Sequence, residues 1–463
     1  MDDEVGDMSQ AGFRHDVPGT PASSWHDDRR WSGVPPLELS ARDGRSLEHV
    51  VVVAAHPDDE SLGAGGLLSR LLRLPDEERP RIEMVLLTAG EASHPSSPTH
   101  GREQLAARRL EESRAALDAL GGAAEGVPVH WWGSADGHVE ADEARWTDRL
   151  SALVGDGSRA LLVGPWRHDG HPDHDAAGRI CAAAARRTGA RLLEYPIWFW
   201  HRAEPHEAPW VDLRRLPLDP GTCTHKRHAV HAHASQVRPL SEEPGDETLL
   251  QPEVLAHFLG EQEVFVEAPA RDETLDELHR SVAEPWGADT RWYEERKRAL
   301  ALAMLPARHH GRVLELGCST GVLTRALAER CDDVLAVDSS RAAVEAARRR
   351  TEDLANVEVQ QRLLPEDWPD GRYDVIVLSE VGYFLSPVDL DELVRQSANG
   401  LDRDGLVLLA HWRHPVQGWP LDGAAVHRAF EALPGWSRIA EYRDRDVELL
   451  LLGPEHRLPD PTE

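Results

Sequence analysis

Two short clusters hold the side chains best suited to chemistry. Ala55–Glu60 reads AHPDDE and ends an apolar run that begins at Val50; Gly170–Asp175 reads GHPDHD and follows the apolar run RALLVGP. Imidazoles and carboxylates are the ligands that suit zinc and similar divalent ions. A catalytic zinc ion takes three protein ligands and keeps a water, whose pKa it lowers while polarising a carbonyl. Two histidines and one aspartate as ligands would leave one aspartate to take a proton and one histidine to steady an oxyanion or protonate a leaving amine. A lone HPD is ordinarily a turn, with Asp capping a helix and Pro starting one. Two copies, each at the end of a strand-like run, point instead to one metal centre with hydrolytic chemistry. Spacing alone does not say which aspartate binds the ion.

The elements that must bring these clusters together are legible in the pattern. Val50–Ala55, RIEMVLLTA, VPVHWWG, RALLVGP and ARLLEYPIWFW have the length and composition of strands. Between them, amphipathic stretches predict helices near Ser61–Leu74, Arg102–Leu120, Asp142–Leu153 and Asp173–Thr188. Such alternation gives a mostly parallel sheet covered by helices, with ligands beyond the carboxyl ends of its strands. Both clusters leave the same edge of that sheet and can converge.

These residues resemble a known family. AHPDDE after a strand, LLTAGE (Leu86–Glu91), a helix with Arg109, Glu111 and Glu112, and then HPDH are similar to the PIG-L/LmbE-like deacetylases over roughly residues 45–265. The resemblance implies a Rossmann-like fold and zinc-dependent removal of acetyl groups from N-acetylglucosamine-type substrates. It implies His56, Asp59 and His174 as metal ligands, Asp58 as general base and His171 as the oxyanion-stabilising or acid histidine, with Asp173 tuning His171. Lys226–Gln236 (KRHAVHAHASQ) also looks like a segment of that family. Its neighbourhood holds His225, His228, His231 and His233, which do not share one helical face, so packing or substrate lining is expected rather than a second metal site. Trp131, Trp132, Trp198, Trp200 and Trp210 could stack on a sugar or pack the core.

The second half carries a different signal. RVLEL runs into Gly317-Cys318-Ser319-Thr320-Gly321, and Asp338 ends the next strand-like run. Glycines let a backbone approach a ligand closely, and an acid about 20 residues further on can hold a ribose diol. Nicotinamide binding competes for this pattern. Against it stand seven strand-like runs whose last two, SRIAEYR and VELLLLG, are joined by a short turn at Asp444–Asp446 and predict an antiparallel hairpin. That order resembles the class I S-adenosylmethionine methyltransferases. WYEERKRALALAMLP, ELGCSTG and YDVIVLSEVGYFL bring it nearest to NodS-like N-methyltransferases over about residues 285–455. The resemblance implies that Glu315, Gly317 and Gly321, with Cys318 between them, line the methionine end. It implies that Asp338, followed by Ser339, holds the ribose. Many such enzymes place an acid after the third strand to read adenine; this chain has Leu363 and Leu364 there, so backbone groups or nearby Glu366 take that part. Glu380, Tyr383 and His411 sit beyond strands four and five, where the acceptor belongs; Glu380 and His411 are candidate catalytic residues, and Glu380 also borders the cofactor. Methyl transfer to an amine needs alignment and a neutral nitrogen more than acid-base help.

The chain as a whole bounds the rest. Its 463 residues exceed a single core. The expected order is an N-terminal extension, partly disordered (1–45), a deacetylase domain (46–266), a linker (267–285), a methyltransferase domain (286–455) and a tail (456–463). Both domains are α/β and doubly wound. A formal charge of −30 repels nucleic acid and anionic lipid. The four cysteines form no CxxC pair and read as reduced thiols, and MDDEVGDMSQ reads as no secretory signal, so a cytoplasmic protein with small-molecule substrates is expected. The alternatives are a methyltransferase fused to a different metal hydrolase or to a sugar-binding module, and an assembly protein with vestigial sites.

Overall fold

The computed structural model describes residues 19–42, 44–121, 126–267, 274–416 and 418–454. The chain divides into two compact units, one within Met1–Ala185 and Ala190–Arg271, the other within Arg186–Gly189 and Asp272–Glu463.

The first unit is built on strands β1 (His49–Ala54), β2 (Arg81–Leu86), β3 (Val129–Trp131), β4 (Ala160–Pro165), β5 (Arg191–Tyr195), β6 (Leu213–Pro217) and β7 (Gln262–Val266), in the order β3-β2-β1-β4-β5-β7-β6. The first five are parallel; β7 runs antiparallel to both β5 and β6. Val50–Ala54 is fully buried, as a central strand covered on both faces requires. The strand order reverses at β1 and β4, so the crevice beyond their carboxyl ends lies at the switch point, and the two His/Asp clusters open into it. Gly63 lets the helix Asp59–Leu72 press onto the sheet: a Cβ there would meet the Tyr195 ring at 2.1 Å, and the Tyr195 hydroxyl donates to the Val53 carbonyl at 2.6 Å.

Two features depart from the sequence reading, in β6 and β7 and in the run after β5; a third, in the extension expected to be partly disordered, adds the contacts of its later part. β6 and β7 were not expected, because LRRLP and QEVFV are short and half polar. The run ARLLEYPIWFW is a strand only to Tyr195. The Asp169 carboxylate then accepts the backbone N–H groups of Ile197, Trp198 and Phe199, which turns the chain into a short helix, Phe199–Arg202. The extension is anchored from residue 19 onward. Trp25 is buried, donates from its indole to the Trp200 carbonyl at 2.8 Å and packs edge-on against that ring. Residues 1–18 lie outside the described residues.

The second unit holds strands β8 (His310–Leu316), β9 (Cys331–Asp338), β10 (Val357–Gln361), β11 (Tyr373–Ser379), β12 (Leu401–Trp412), β13 (Ser437–Arg443) and β14 (Val447–Gly453), in the order β10-β9-β8-β11-β12-β14-β13. Five are parallel, and β14 runs antiparallel to β12 and β13. The stretch 267–285, read as a linker, contains the helix Thr274–Ser281. There Leu275 and Leu278, half-buried and three apart, supply an inward face that the surrounding charges hide in the sequence. Asp276 of that helix accepts from the Ser340 hydroxyl at 2.7 Å. The tail from 455 onward lies outside the described residues. Among the described residues no helix is long and apolar enough to cross a membrane.

Candidate functional site

In the first unit the chain leaves β1, turns at Pro57-Asp58 and enters a helix, while the loop after β4 leads into the helix Pro172–Thr188. His56, Asp59 and His174 meet there, all buried. His56 Nδ1 lies 3.3 Å from His174 Nε2, which lies 3.2 Å from Asp59 Oδ1; His56 Nδ1 is 3.7 Å from Asp59 Oδ2. Each ring is held from behind by carboxylate. His174 Nδ1 is 2.8 Å from Asp169, and His56 Nε2 is 3.1 Å from Asp173 and 3.2 Å from Asp136. Ring protons placed toward those carboxylates leave two lone pairs facing one another across 3.3 Å beside an anionic oxygen. That arrangement suits a cation, a metal ion or the extra proton that the raised His174 pKa admits. Metal–ligand bonds of about 2.0–2.1 Å in tetrahedral geometry separate ligand atoms by about 3.3 Å, so the residues fit a zinc ion. Burial works to lower the His174 pKa, but the charge of Asp59 and the contact with Asp169 raise it to about 10. Asp59 is held well below the usual carboxylate range against burial, first by the charge of His174.

The remaining predicted residues surround this centre. The His171 ring stands 5.0 Å from that of His56 and 4.6 Å from that of His174. Burial, then the charges of His174 and His56, lower its pKa to about 2, so it is neutral. Its Nδ1 accepts from the Asp173 backbone N–H at 3.2 Å, which assigns its proton to Nε2. Asp173 was expected to tune His171. Its carboxylate also holds His56 and accepts from the backbone N–H groups of Gly137 and Val139; toward His171 it offers its charge, which raises the His171 pKa against burial, and its own backbone N–H.

Asp58 has φ 127°, a conformation that costs a non-glycine residue on the order of 1–3 kcal/mol. Burial raises its carboxyl pKa to about 6 in spite of Arg109. Arg109 donates to Asp58 Oδ2 at 3.2 Å, to the Pro57 carbonyl at 2.7 Å and to the Gly90 carbonyl at 2.8 Å. Gly90, from LLTAGE, makes room for that guanidinium: a Cβ there would meet it at 2.0 Å.

Sequence reasoning missed Asp169 and Asp136. Asp169 stands five residues before His174, a spacing that signals nothing until β4 and β5 are paired. Of the four clustered histidines, His228 and His231 are exposed and His233 is buried, so they build no common centre. Trp132 stacks on Trp146, Trp200 and Trp210 join the aromatic group around Trp25 and Trp31, and Trp198 packs against the same core, whereas Trp131 is 54% exposed.

In the second unit Gly317 (φ 75°), Ser319 (φ 48°) and Gly321 (φ 80°) shape the loop after β8. A Cβ on Gly317 would meet Val381 at 2.6 Å. Asp338, at the end of β9, accepts from the backbone N–H groups of Ser319 at 2.8 Å and Ser340 at 2.9 Å, which ties the two expected cofactor loops together. Cys318 is buried, and the Ser339 carbonyl accepts from Gln361. The Leu363 N–H donates to Asp367, Leu364 packs on the core, and Glu366 is exposed.

Glu315 is buried, accepts from the Thr324 hydroxyl at 2.6 Å, and burial pushes its pKa up to about 8. Between its ordinary 4.5 and about 8 the folded unit therefore binds the extra proton, so stability falls as pH rises through that window. Glu315→Gln is expected to flatten this slope in denaturant unfolding measured from pH 5 to 9.

Glu380 (φ 60°) is ringed by donors: Tyr293 at 3.2 Å and Lys297 at 2.8 Å on one oxygen, the Tyr383 hydroxyl and the Trp412 N–H on the other. His411, expected as a catalytic candidate, is not placed as one. It is fully buried, its Nε2 accepts from the Gly382 N–H at 3.3 Å, and its Nδ1 meets His427 Nε2 at 3.0 Å. Nε2 is committed to the turn after β11 and Nδ1 to the helix Gly423–Glu431, and burial lowers the pKa to about 3, which keeps the ring neutral.

Comparison with known proteins agrees with this division. Residues 51–185 match the GlcNAc-PI de-N-acetylase (PIG-L) family model, and residues 313–405 match a methyltransferase domain model. A 1D-myo-inositol 2-acetamido-2-deoxy-alpha-D-glucopyranoside deacetylase of Corynebacterium glutamicum is 32% identical over 41% of this chain and 74% of its own length. The chain belongs to the PIG-L family, with a methyltransferase domain behind the deacetylase domain. It spans about half (54%) of the Mycobacterium enzyme of the same name, at 32% identity over 33% of this chain. Nodulation protein S of Bradyrhizobium diazoefficiens is 29% identical over 32% of this chain and 74% of its own length.

Proposed function

We propose that the chain is a bifunctional enzyme. The first unit would remove an N-acetyl group from an amino sugar or related amide with zinc; the second would transfer a methyl group from S-adenosylmethionine to an amine. The observation that carries the first part is the pair of facing nitrogens, His56 Nδ1 and His174 Nε2, beside Asp59, each ring backed by carboxylate. His56, Asp59 and His174 would hold the ion. When bound, it polarises the amide carbonyl and acidifies a water.

The chain's own residues do the rest. Asp58, with a carboxyl pKa near 6, takes a proton from the attacking water and is aimed by Arg109. Neutral His171 presents Nε2–H to the carbonyl oxygen as it gains charge. Asp169 fixes the His174 tautomer, and such partners are worth about 10–100-fold in metal affinity; Asp169→Asn is expected to weaken zinc binding by that factor in competition with a chromophoric chelator.

In the second unit the Glu315–Gly321 loop and Asp338 would bind the methyl donor. Glu380, Tyr293 and Tyr383 would border the acceptor amine, and rate enhancement would come from holding donor and acceptor in line. The substrates are small molecules on this reading. Purified protein loaded with zinc should release acetate from an N-acetylated amino sugar panel and methylate an amine panel with labelled S-adenosylmethionine. Absence of both across the panels overturns the proposal.

A further inference from the structure

The strained pose of Asp58 is held from two sides. Arg109 grips one side through the Pro57 carbonyl and the Asp58 carboxylate. On the other side the Asp58 backbone N–H donates to Glu60 Oε2 at 3.2 Å. Glu60 is fully buried, and its second oxygen accepts from the Ser61 hydroxyl at 3.1 Å. The Ser61 oxygen lies 3.0 Å from His233 Nε2, which is also 3.5 Å from Glu60 Oε1. Since the Ser61 hydroxyl donates to Glu60, its oxygen accepts from His233 Nε2–H. His233 is 1% exposed, and its Nδ1 has no hydrogen-bond partner among the described residues. A buried ring with one orphaned nitrogen is costly where only packing is at stake.

The helix Arg102–Ala119 ties the two sides together. Arg109 and Glu112 stand three apart on one face of it. Glu112 accepts from the Ser235 backbone N–H at 2.9 Å and hydroxyl at 2.6 Å, two residues beyond His233. One helix therefore fixes both the arginine and the histidine arm of the clamp.

We propose that Glu60 and His233 are positioning residues for the general base: the chain His233–Ser61–Glu60 holds the Asp58 N–H and so sets the direction of the Asp58 carboxylate that would take the proton from water. This rests on the hydrolase reading above. The test uses the full chain loaded with zinc, N-acetylglucosamine as probe and acetate release as readout. Misplacement of a catalytic group by about 1 Å costs about 100-fold, so Glu60→Gln and His233→Ala are expected to lose about ten- to a hundredfold in kcat with KM and zinc content near wild type. His233→Gln restores a donor at the ε position and is expected to recover most of the loss. In an Asp58→Asn background, Glu60→Gln should cost nothing further, because its effect passes through Asp58.

Wild-type kcat in Glu60→Gln, a loss that adds fully to that of Asp58→Asn, or equal loss in His233→Gln and His233→Ala would each overturn the proposal. Zinc-loaded wild type that releases no acetate from N-acetylglucosamine or from the rest of the N-acetylated panel would instead overturn the hydrolase reading beneath it.

Discussion

Asp58→Asn is expected to lower kcat for amide hydrolysis by about 100- to 10,000-fold, the usual contribution of a positioned acid or base, while zinc remains bound at wild-type stoichiometry. The separation follows from geometry. Asp58 points to Arg109, whereas the three facing ligand atoms belong to His56, Asp59 and His174. Asparagine keeps the size of the side chain and can still accept from Arg109, so the buried guanidinium is not stranded. Rate and metal content measured on the same preparation decide the matter. A sugar-binding module would keep its affinity and have no turnover to lose; a variant that loses zinc along with activity would make Asp58 a ligand.

The second large effect belongs to Glu380. Its carboxylate holds together Tyr293 and Lys297 on the helix Trp292–Met304, Tyr383 in the turn after β11, and the backbone of Trp412 at the end of β12. Glu380→Ala leaves the largely buried Lys297 with Glu294 alone, at 2.8 Å, and strands the other donors. Each stranded buried donor costs about 1–3 kcal/mol, while Lys297 keeps Glu294 as its counter-charge. Methyl transfer is expected to fall below detection and the unfolding midpoint of the second unit to drop in urea. Glu380→Gln restores an acceptor for Tyr383 and Trp412 and should recover most of the stability but not the transfer rate. Equal stability of wild type and Glu380→Ala would show that the carboxylate organises nothing.

Much of this was legible because chemistry and periodicity coincided. AHPDDE and GHPDHD each follow a run that is apolar on both faces, so the strand ends and the reactive residues were marked by the same stretch of sequence. The central strands of the second sheet, β8, β9, β11, β12 and β14, stand out for the same reason, and the hairpin is announced by a short polar turn. What escaped notice depends on tertiary contact. Asp169 becomes a partner of His174 only once β4 and β5 are paired, since it also caps the chain leaving β5. His411 stands at a strand end in the expected place, yet its burial and its contact with His427 come from the helix Gly423–Glu431, which no local pattern reveals. β6 and β7 are too short and too polar to declare themselves. They are strands by pairing with one another over five residues, with β7 meeting β5 at Glu194 and Val266.

The pairing of β1 with β4 has a kinetic consequence. His56 and His174 are 118 residues apart in the chain. Closing so long a segment carries an entropic cost that local contacts cannot offset early. No short peptide from this protein contains His56, Asp59 and His174 together, so an ion held by them, as proposed above, would not nucleate folding as it does in a zinc finger. On that proposal metal capture would be a late event in assembly, and its rate during refolding would report the moment at which two distant strands register side by side.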